Sequence, residues 1–419
     1  MRCALLAVGL LFGAGSGLGQ KGDVANAPDP CMTRQGKYYY IFSTGAGIPI
    51  RRSEDLVHWK LVGRVFDTSP AWTAQAVPGH QGYWAPDISF YSGTYHLYYS
   101  LSRLGKRDSA IGLATNKTLD PADPQYRWVD EGLVIRSYED YDWNAIDPAL
   151  VLDRKGQPWM AWGSYWSGIK LRQIDPATGK PSTRNTRQYD IASRVKLKPP
   201  AIEGAIIAWK NGYFYLFVSF DGGPNYKVMV GRSREVSGPY VDRQGKSLMD
   251  GGGTLLVSRH GGINGPGHNG LLLDGFHDWF VVHYTDAQTQ GSRSRDLQLR
   301  PLMWASDGWP LVGEPEWVPA WAQADSRTMP ASPVGSWEHG LNYEVTGRIT
   351  LLPNGTIDGP VPGGKWVRKG WFLTLKWPAA GGGHTVESGV LSPDGKAFSG
   401  RDQSDRLIGG RKAEVESNP

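Results

Sequence analysis

The chain has 419 residues, with 45 Lys and Arg against 40 Asp and Glu, which gives a formal net charge of +5. The basic residues are scattered rather than gathered into a stripe, which argues against nucleic acid as a partner. No later stretch is apolar for long enough to cross a bilayer, so no membrane partner is expected. The high contents of Gly (55), Pro (29) and Trp (18) indicate an all-β chain with many turns and flat aromatic surfaces.

The first residues have the pattern of a secretory signal peptide. Arg2 precedes an apolar core from Ala4 to Phe12, and small residues follow as far as Gly19. The apolar run is too short to span a membrane. The sequence therefore predicts a signal peptide at residues 1–20 and a secreted or periplasmic protein. Cys3 would leave with this segment and Cys31 would remain alone, which excludes a disulfide framework.

A short loop with an acidic or imidazole residue recurs five times, each time ahead of an aromatic strand. Separations of 58, 60, 56 and 65 residues form a nearly regular period. Such a period predicts one supersecondary unit stacked on its copies, and units of several strands without helix predict the blades of a β-propeller. We expect the five loops to deliver their residues to a common axis. These residues are Asp29, Asp87, Asp147, Glu203 and His268.

The chain changes character after the fifth repeat. A connector rich in Pro, Ala and Ser runs from about Ala320 to Gly335, and several strand-like runs follow, with Asn354-Gly355 as a hairpin turn signal. The sequence predicts a propeller at residues 21–320 and a small β-barrel at residues 336–412. Sugar binding and mechanical support of the propeller are both open as roles for the barrel.

Three of the axial carboxylates stand in apolar or proline-flanked loops. Glycoside hydrolysis needs one carboxylic acid to protonate the leaving oxygen and a second carboxylate to work on the opposite face of the sugar. Asp29, Asp147 and Glu203 suit this chemistry, although spacing alone does not assign the roles. The alternative is that they cap turns, which is less compatible with a set kept in register over several repeats.

A group of short motifs occurs in one fixed order between about residues 24 and 315. They are Asp29-Pro30-Cys31, Trp84-Ala85-Pro86-Asp87-Ile88, Asn144-Ala145-Ile146-Asp147-Pro148, Gly163-Ser164-Tyr165-Trp166, Ile202-Glu203, Val230-Gly231-Arg232-Ser233, Gly265-Pro266-Gly267-His268 and Asp307-Gly308-Trp309-Pro310. In these motifs the chain resembles glycoside hydrolase family 43, and within it the secreted arabinanases. The C-terminal segment resembles the small barrel appended to some members.

The resemblance implies a five-bladed propeller and inverting, internal hydrolysis of α-1,5-L-arabinofuranosidic bonds in arabinan, a plant cell-wall polysaccharide. The protein is expected to be a monomer. It makes Asp29 the general base, Glu203 the general acid, and Asp147 the neighbour that orients the acid and modulates its pKa. It places His268 beside a metal, usually calcium held largely through water, although a purely structural His268 is the alternative. The implied substrate-binding residues are Trp84, Asp87, Asn144, Ser164 and Trp166, of which the two tryptophans could equally be blade packing.

Two departures from the family pattern bear on the substrate. Pro28 stands where the family usually has His, and Gly222-Gly223-Pro224-Asn225 replaces a loop that is often rich in Cys. An exo-acting α-L-arabinofuranosidase or β-xylosidase is therefore an alternative, and a non-catalytic glycan-binding propeller is the rival from another class. Gly265 to Gly270 spells G-x-G-x-x-G, but a strand rather than a helix follows, which excludes a dinucleotide site.

Overall fold

The computed structural model describes residues 19–275, 277–286, 294–325, 327–379 and 381–413. The signal peptide predicted at residues 1–20 lies almost wholly outside these ranges. Within them, no helix has both the length and the apolar character needed to cross a membrane. The described chain is nearly all β, and its α-helices are α1 (Ala71–Ala76) and α2 (Val318–Gln323).

Five sheets follow one another along the chain, and each contributes one innermost strand at the centre. Blade 1 contains β1 (Lys21–Gly22), β2 (Cys31–Gln35), β3 (Tyr38–Phe42), β4 (Pro49–Ser53) and β5 (His58–Arg64), with β1 parallel to β5 at the outer edge. Blade 2 contains β6 (Trp84–Tyr91), β7 (Thr94–Leu101), β8 (Ser109–Asn116) and β9 (Val129–Ser137). Blade 3 contains β10 (Ala149–Leu152), β11 (Pro158–Trp162), β12 (Ile169–Asp175), β13 (Lys180–Pro181) and β14 (Tyr189–Ala192), the last two both paired with β12.

The last two blades have four strands each. Blade 4 contains β15 (Ile202–Lys210), β16 (Tyr213–Phe220), β17 (Lys227–Ser233) and β18 (Thr254–Val257). Blade 5 contains β19 (Ile263–Asp274), β20 (His277–Asp286), β21 (Asp296–Trp304) and β22 (Pro310–Val312). The innermost strands touch in the cyclic order β2, β6, β10, β15, β19 and back to β2. The predicted five-bladed propeller is confirmed.

The hydrophobic core lies between neighbouring blades, as five clusters at five junctions. In the second strand after the hub of each blade, successive side chains alternate between the clusters on the two faces of the blade. In β7, Leu97, Tyr99 and Leu101 pack towards blade 1, whereas Tyr98 packs towards blade 3. Successive strand residues point to opposite faces, so a strand buried on both faces is a continuous apolar run. This is why each repeat contains an aromatic run rather than an amphipathic strand.

Eight strands close into the predicted C-terminal barrel. They are β23 (Gly335–Leu341), β24 (Glu344–Leu351), β25 (Thr356–Asp358), β26 (Gly364–Lys369), β27 (Phe372–Pro378), β28 (His384–Leu391), β29 (Ala397–Asp402) and β30 (Leu407–Lys412), with β30 pairing back to β23. The barrel packs against the propeller. Trp371 meets the edge of Trp321 in α2 with ring centroids 5.3 Å apart, and Val390 joins the core cluster between blades 5 and 1.

The connector differs from the expectation at its start. Ala320 to Gln323 belong to α2 rather than to an irregular linker. Val318 and Trp321 are buried against the propeller, so one face of this short helix is fixed by packing. The helical segment is too short to show a periodic apolar pattern in the sequence.

Candidate active site

One residue at the start of each blade adopts a left-handed backbone conformation. The five φ angles lie between 42° and 59°, at Asp29, Ala85, Asp147, Gly204 and His268. A positive φ is uncommon for residues other than glycine and costs free energy, so such residues cluster where the fold or the function requires them. Here the conformation turns the chain at the hub and directs each following strand into its blade.

The backbone N–H of each left-handed residue donates a hydrogen bond to the preceding blade. In four cases the acceptor lies at an equivalent place, near the end of the strand next to the innermost one in the preceding blade. The bonds run from Ala85 to Thr44 Oγ1 (2.7 Å), from Asp147 to Ser100 Oγ (2.9 Å), from His268 to Ser219 Oγ (2.9 Å) and from Asp29 to His283 Nδ1 (3.1 Å). The fifth N–H, of Gly204, donates to Asp147 Oδ2 at 3.1 Å. These bonds tie the blades together around the axis.

The register of this ring corrects one predicted residue. In blade 2 the left-handed position is Ala85, and a shift in strand pairing between Trp84 and Asp87 leaves Asp87 two residues further on. Asp87 is buried, does not line the central cavity, and accepts the backbone N–H of Leu150 at 2.8 Å. Its predicted place at the axis is therefore wrong, and the geometry gives it a role in joining blades 2 and 3.

A central cavity of about 840 Å³ gathers the remaining predicted residues. Its lining includes Asp29, Trp84, Asn144, Asp147, Ser164, Trp166, Glu203 and His268. Asp29, Asp147 and His268 occupy the repeated left-handed position, and Glu203 directly precedes Gly204. Residues that are 174 positions apart in the sequence, Asp29 and Glu203, thus share one cavity.

Asp29 is held as an ionised carboxylate. Its Oδ2 accepts the hydroxyl of Thr44 at 2.6 Å, and Nδ1 of both His268 and His283 lies 3.4 Å from Oδ1. Burial alone would raise the pKa of Asp29. The charge of His268, together with the hydrogen bond from Thr44, helps to outweigh burial and hold this pKa well below its usual range.

Glu203 accepts one hydrogen bond on each carboxyl oxygen. Ser164 Oγ donates to Oε2 at 2.7 Å, and the Tyr226 hydroxyl donates to Oε1 at 2.8 Å. Ser164 is itself fixed by Asn144, whose Oδ1 accepts the Ser164 backbone N–H at 2.9 Å. The carboxyl plane of Glu203 is therefore set from two sides, which is what directed proton transfer requires.

Asp147 interacts electrostatically with the other two carboxylates. Burial is the largest cause that raises its pKa above the usual range, and the negative charges of Glu203 and Asp29 raise it further. The charge of His268 and the hydrogen bond from Gly204 oppose these effects only in part. One carboxyl group with a low pKa and another with a raised pKa in the same cavity is an arrangement suited to acid–base chemistry.

Two aromatic residues extend the cavity wall. Tyr165 and Trp166 are partly exposed and adopt φ angles of 54° and 42° in the turn between β11 and β12. The turn is held by a bond from the Tyr165 N–H to Ile202 O at 2.7 Å. The Arg107 guanidinium lies 4.7 Å from the centroid of the Trp166 ring. Trp84 also lines the cavity, so neither predicted tryptophan is buried in blade packing.

Among the lining residues that were not singled out in the sequence, three contact the carboxyl groups of Asp29 or Glu203: Thr44, Tyr226 and His283. His283 did carry a signal, because it occupies the place of Ser219 one blade later. Tyr226 carried none, since it follows the loop after β16 and reaches the cavity only through the fold.

The residues around His268 do not form a protein ligand set for calcium. In the described ranges no group of three or more His, Cys, Asp and Glu side chains is arranged to hold a metal. Calcium takes six to eight oxygen ligands, whereas Nδ1 of His268 faces the carboxylate of Asp29. Calcium held near His268 through water stays a prediction, and no catalytic step is derived through it.

Comparison with known proteins gives one consistent result. The model of "Glycosyl hydrolases family 43" matches residues 24–310. An extracellular exo-α-(1→5)-L-arabinofuranosidase of Cellvibrio japonicus is 40% identical over 302 residues, which cover 69% of this chain and 86% of that protein. An extracellular endo-α-(1→5)-L-arabinanase of Bacillus subtilis is 41% identical over 292 residues, covering 67% and 86%.

A solved structure extends the likeness of the fold to the barrel. The endo-1,5-α-L-arabinanase of Thermotoga petrophila aligns with a TM-score of 0.75 over 93% of this chain and 99% of that one, at 24% identity. At this identity the likeness concerns the fold alone.

Proposed function

Because this chain belongs to glycosyl hydrolases family 43, we propose that it hydrolyses α-1,5-L-arabinofuranosidic bonds of arabinan with inversion of configuration. The observation that carries the proposal is the placement of Asp29, Asp147 and Glu203 in one cavity, with different hydrogen-bond partners for each. The similarity to an arabinanase and an arabinofuranosidase favours arabinan as the substrate. The same three carboxylates argue against a propeller that only binds glycan.

In the proposed mechanism Glu203 gives its proton to the glycosidic oxygen as the bond from the anomeric carbon to that oxygen breaks. Asp29 takes a proton from a water molecule whose oxygen attacks the anomeric carbon from the opposite face. The low pKa of Asp29 keeps the base ionised. In addition to burial, the negative charge of Glu203 raises the pKa of Asp147, so these two carboxyl groups favour sharing one proton. In the proposed mechanism this is the proton that Glu203 delivers, which supports the role of Asp147 as its partner.

Replacing the base or the acid tests these roles. We expect Asp29→Ala and Glu203→Ala to lower kcat on arabinan by about 10² to 10⁴, the usual contribution of acid–base catalysis. Glu235→Ala serves as the control, because Glu235 is an exposed carboxylate of blade 4 outside the cavity. Circular dichroism and melting curves establish that each variant is folded. Near wild-type turnover in either cavity variant would overturn the assignment of roles.

We propose internal cleavage of the polysaccharide as the main mode of action. Cavities of 300 to 1,000 Å³ enclose whole drug-sized ligands, so about 840 Å³ accommodates more than one sugar unit. Release of single units from a chain end is the second candidate, favoured by the similarity to the exo-acting relative. Digestion of linear arabinan separates the two modes: mixed oligosaccharides early in the reaction indicate internal cleavage, and one product throughout indicates an exo mode.

We also propose export. The first 20 residues have the composition of a signal peptide, and the two similar proteins named above are extracellular. Expression in a secreting host should place the protein outside the cytoplasm, with an N-terminus near Gln20 by N-terminal sequencing. Retention of residues 1–19 on an internal protein would contradict export.

A further inference from the structure

We propose that Tyr226 is a positioning residue for the hydrolysis, which orients the carboxyl group of Glu203 and links it to the surroundings of Asp29. The inference rests on the proposed function and assigns a role to a residue outside the acidic repeat. The Tyr226 hydroxyl donates to Glu203 Oε1 at 2.8 Å. On its other side, the Tyr226 ring stacks on His283 with centroids 5.8 Å apart and an angle of 29° between the planes.

His283 completes the link to the base. Its Nδ1 accepts the backbone N–H of Asp29 at 3.1 Å and lies 3.4 Å from Asp29 Oδ1. Tyr226 therefore contacts the acid, Glu203, through its hydroxyl. Its ring contacts His283, the residue that holds the base. A single rigid side chain so fixes the relative placement of two groups that must act on opposite faces of one sugar.

The fold makes room for Tyr226 with a glycine. A Cβ atom on Gly267 would lie 2.0 Å from Cδ1 of the Tyr226 ring, so a larger residue there would displace the ring. At Gly265, which has a φ of 57°, an added Cβ would lie 2.4 Å from the Gly223 carbonyl oxygen. The G-x-G pattern before His268 is thus explained by close packing of β19 against the segment that carries Tyr226, which is only 5% exposed.

Tyr226 remains a donor throughout the range in which the enzyme can work. Burial raises the pKa of its phenol well above the ordinary value, and the charges of Glu203, Asp29 and Asp147 raise it further. Its proton is therefore directed at Glu203 Oε1, while Ser164 holds Oε2. Without the Tyr226 donor, the carboxyl group is held from one side by Ser164 and can turn away from the glycosidic oxygen.

The test is Tyr226→Phe, assayed on linear arabinan and on aryl α-1,5-L-arabinobiosides whose phenols differ in acidity. We expect kcat on arabinan to fall about tenfold or more, a part of the 10² to 10⁴ that acid–base catalysis supplies, with KM changed by less than about threefold. The loss should shrink as the phenol becomes more acidic, because a good leaving group needs little proton donation. A purely structural role would lower turnover equally on every substrate.

Tyr240→Phe is the matched control. Tyr240 is another buried tyrosine of blade 4, and its hydroxyl donates to Val236 O at 2.7 Å outside the cavity. We expect this variant to keep wild-type kcat on all substrates. Gly267→Ala provides an independent route, since it leaves the Tyr226 hydroxyl in the protein but displaces the ring. It should reproduce the dependence on the leaving group.

Two outcomes overturn the inference: wild-type kcat on arabinan in Tyr226→Phe, or a loss of equal size for every phenol. Both leave the proposed function intact, because the wild-type protein would still release reducing ends from arabinan. Absence of that release in the wild-type protein would instead overturn the hydrolytic function, and the role of Tyr226 with it.

Discussion

Asp147 Oδ2 accepts the backbone N–H of Gly204 at 3.1 Å, and Gly204 directly follows Glu203. At the other four blade junctions this N–H bonds to a hydroxyl or imidazole at the end of the preceding blade's second strand. Gly163 occupies that place in blade 3, where its N–H bonds to Ile146 O and a Cβ would lie 2.6 Å from the Gly168 carbonyl. A carboxylate of the cavity therefore replaces the missing side chain and connects blade 3 to the turn that carries Glu203.

This double role predicts different results for two substitutions of Asp147. Asp147→Asn removes the charge but keeps an oxygen for Gly204, so we expect a fall in kcat of about a hundredfold with little loss of stability. Asp147→Ala also leaves the buried N–H unpaired, which costs about 1–3 kcal/mol. Urea unfolding should therefore show Asp147→Ala to be the less stable of the two. Equal stability of the two variants would mean that the hydrogen bond to Gly204 does not stabilise the fold. A wild-type kcat in Asp147→Asn would mean that catalysis does not require the charge of Asp147.

The repeat in the sequence predicted the propeller and most of its central residues, for a physical reason. Every blade needs one turn at the axis and one strand buried on both faces, so the pattern recurs with each blade. Asp29, Asp147, Glu203 and His268 lie in those turns and meet in the cavity. The exact register was not predictable, because the pairing shift in blade 2 moves Ala85 rather than Asp87 into the repeated position.

The partners of the carboxylates were beyond sequence reasoning for a different reason. Asp29 and His283 are 254 residues apart, and the bond between them forms only when blade 5 closes against blade 1. Tyr226 reaches Glu203 across a loop whose sequence departs from the family pattern. No local periodicity encodes such contacts. The equivalence of His283 with Ser219 could have indicated the first, but nothing comparable indicated the second.

The buried carboxyl group of Asp87 predicts a pH dependence of stability. Burial raises the pKa of Asp87 from 3.8 to about 7, and the hydrogen bond from Leu150 lowers it only in part. Between about pH 4 and about pH 7, native Asp87 retains a proton that the unfolded chain has released. Stability contributed by this group therefore falls as the pH rises through that window. Asp87→Asn keeps an acceptor for Leu150, so its unfolding free energy should fall less than that of the wild type between pH 5 and pH 8.

Urea unfolding at both pH values checks this expectation. Asp250→Asn is the control, because Asp250 is an exposed carboxylate that does not line the cavity. That variant should follow the wild type at both pH values. Parallel curves for Asp87→Asn and the wild type would contradict the prediction.

The exposed ring of Trp166 predicts an effect on binding rather than on chemistry. Trp166 is 38% exposed in the cavity wall, and Arg107 lies over its ring. A flat apolar face of this kind suits stacking against a sugar. We expect Trp166→Ala to raise KM for linear arabino-oligosaccharides about tenfold, which is ~1.4 kcal/mol, while kcat falls much less.

Tyr138→Ala is the comparison for Trp166→Ala. Tyr138 is 50% exposed and has the Arg136 guanidinium 4.9 Å from its ring centroid, but it does not line the cavity. Both variants lose an exposed aromatic ring that contacts an arginine, but only Trp166→Ala loses a ring that lines the cavity. An equal change of KM in both variants would show that stacking against substrate is not the cause.

The barrel's contacts predict that it supports the propeller. Val390 and Trp371 cover apolar surface beside Trp321, and Arg401 donates to the carbonyl of Leu255 at the edge of β18. A chain ending at Pro330 would expose this surface. Since burying one large apolar side chain is worth about 1.5–3 kcal/mol, we expect the melting temperature to fall by about 4 °C or more.

The same truncation separates support from sugar binding. Every residue that lines the cavity precedes residue 300, so kcat/KM on short arabino-oligosaccharides should stay unchanged at temperatures where the truncated chain is folded. If the barrel only supports the propeller, KM for polymeric arabinan also stays unchanged. A raised KM on the polymer, with unchanged kinetics on short substrates and an unchanged melting temperature, would instead indicate that the barrel binds the polysaccharide. The apolar contact with Trp321 favours the first result, because that surface has no other cover within the described parts of the chain.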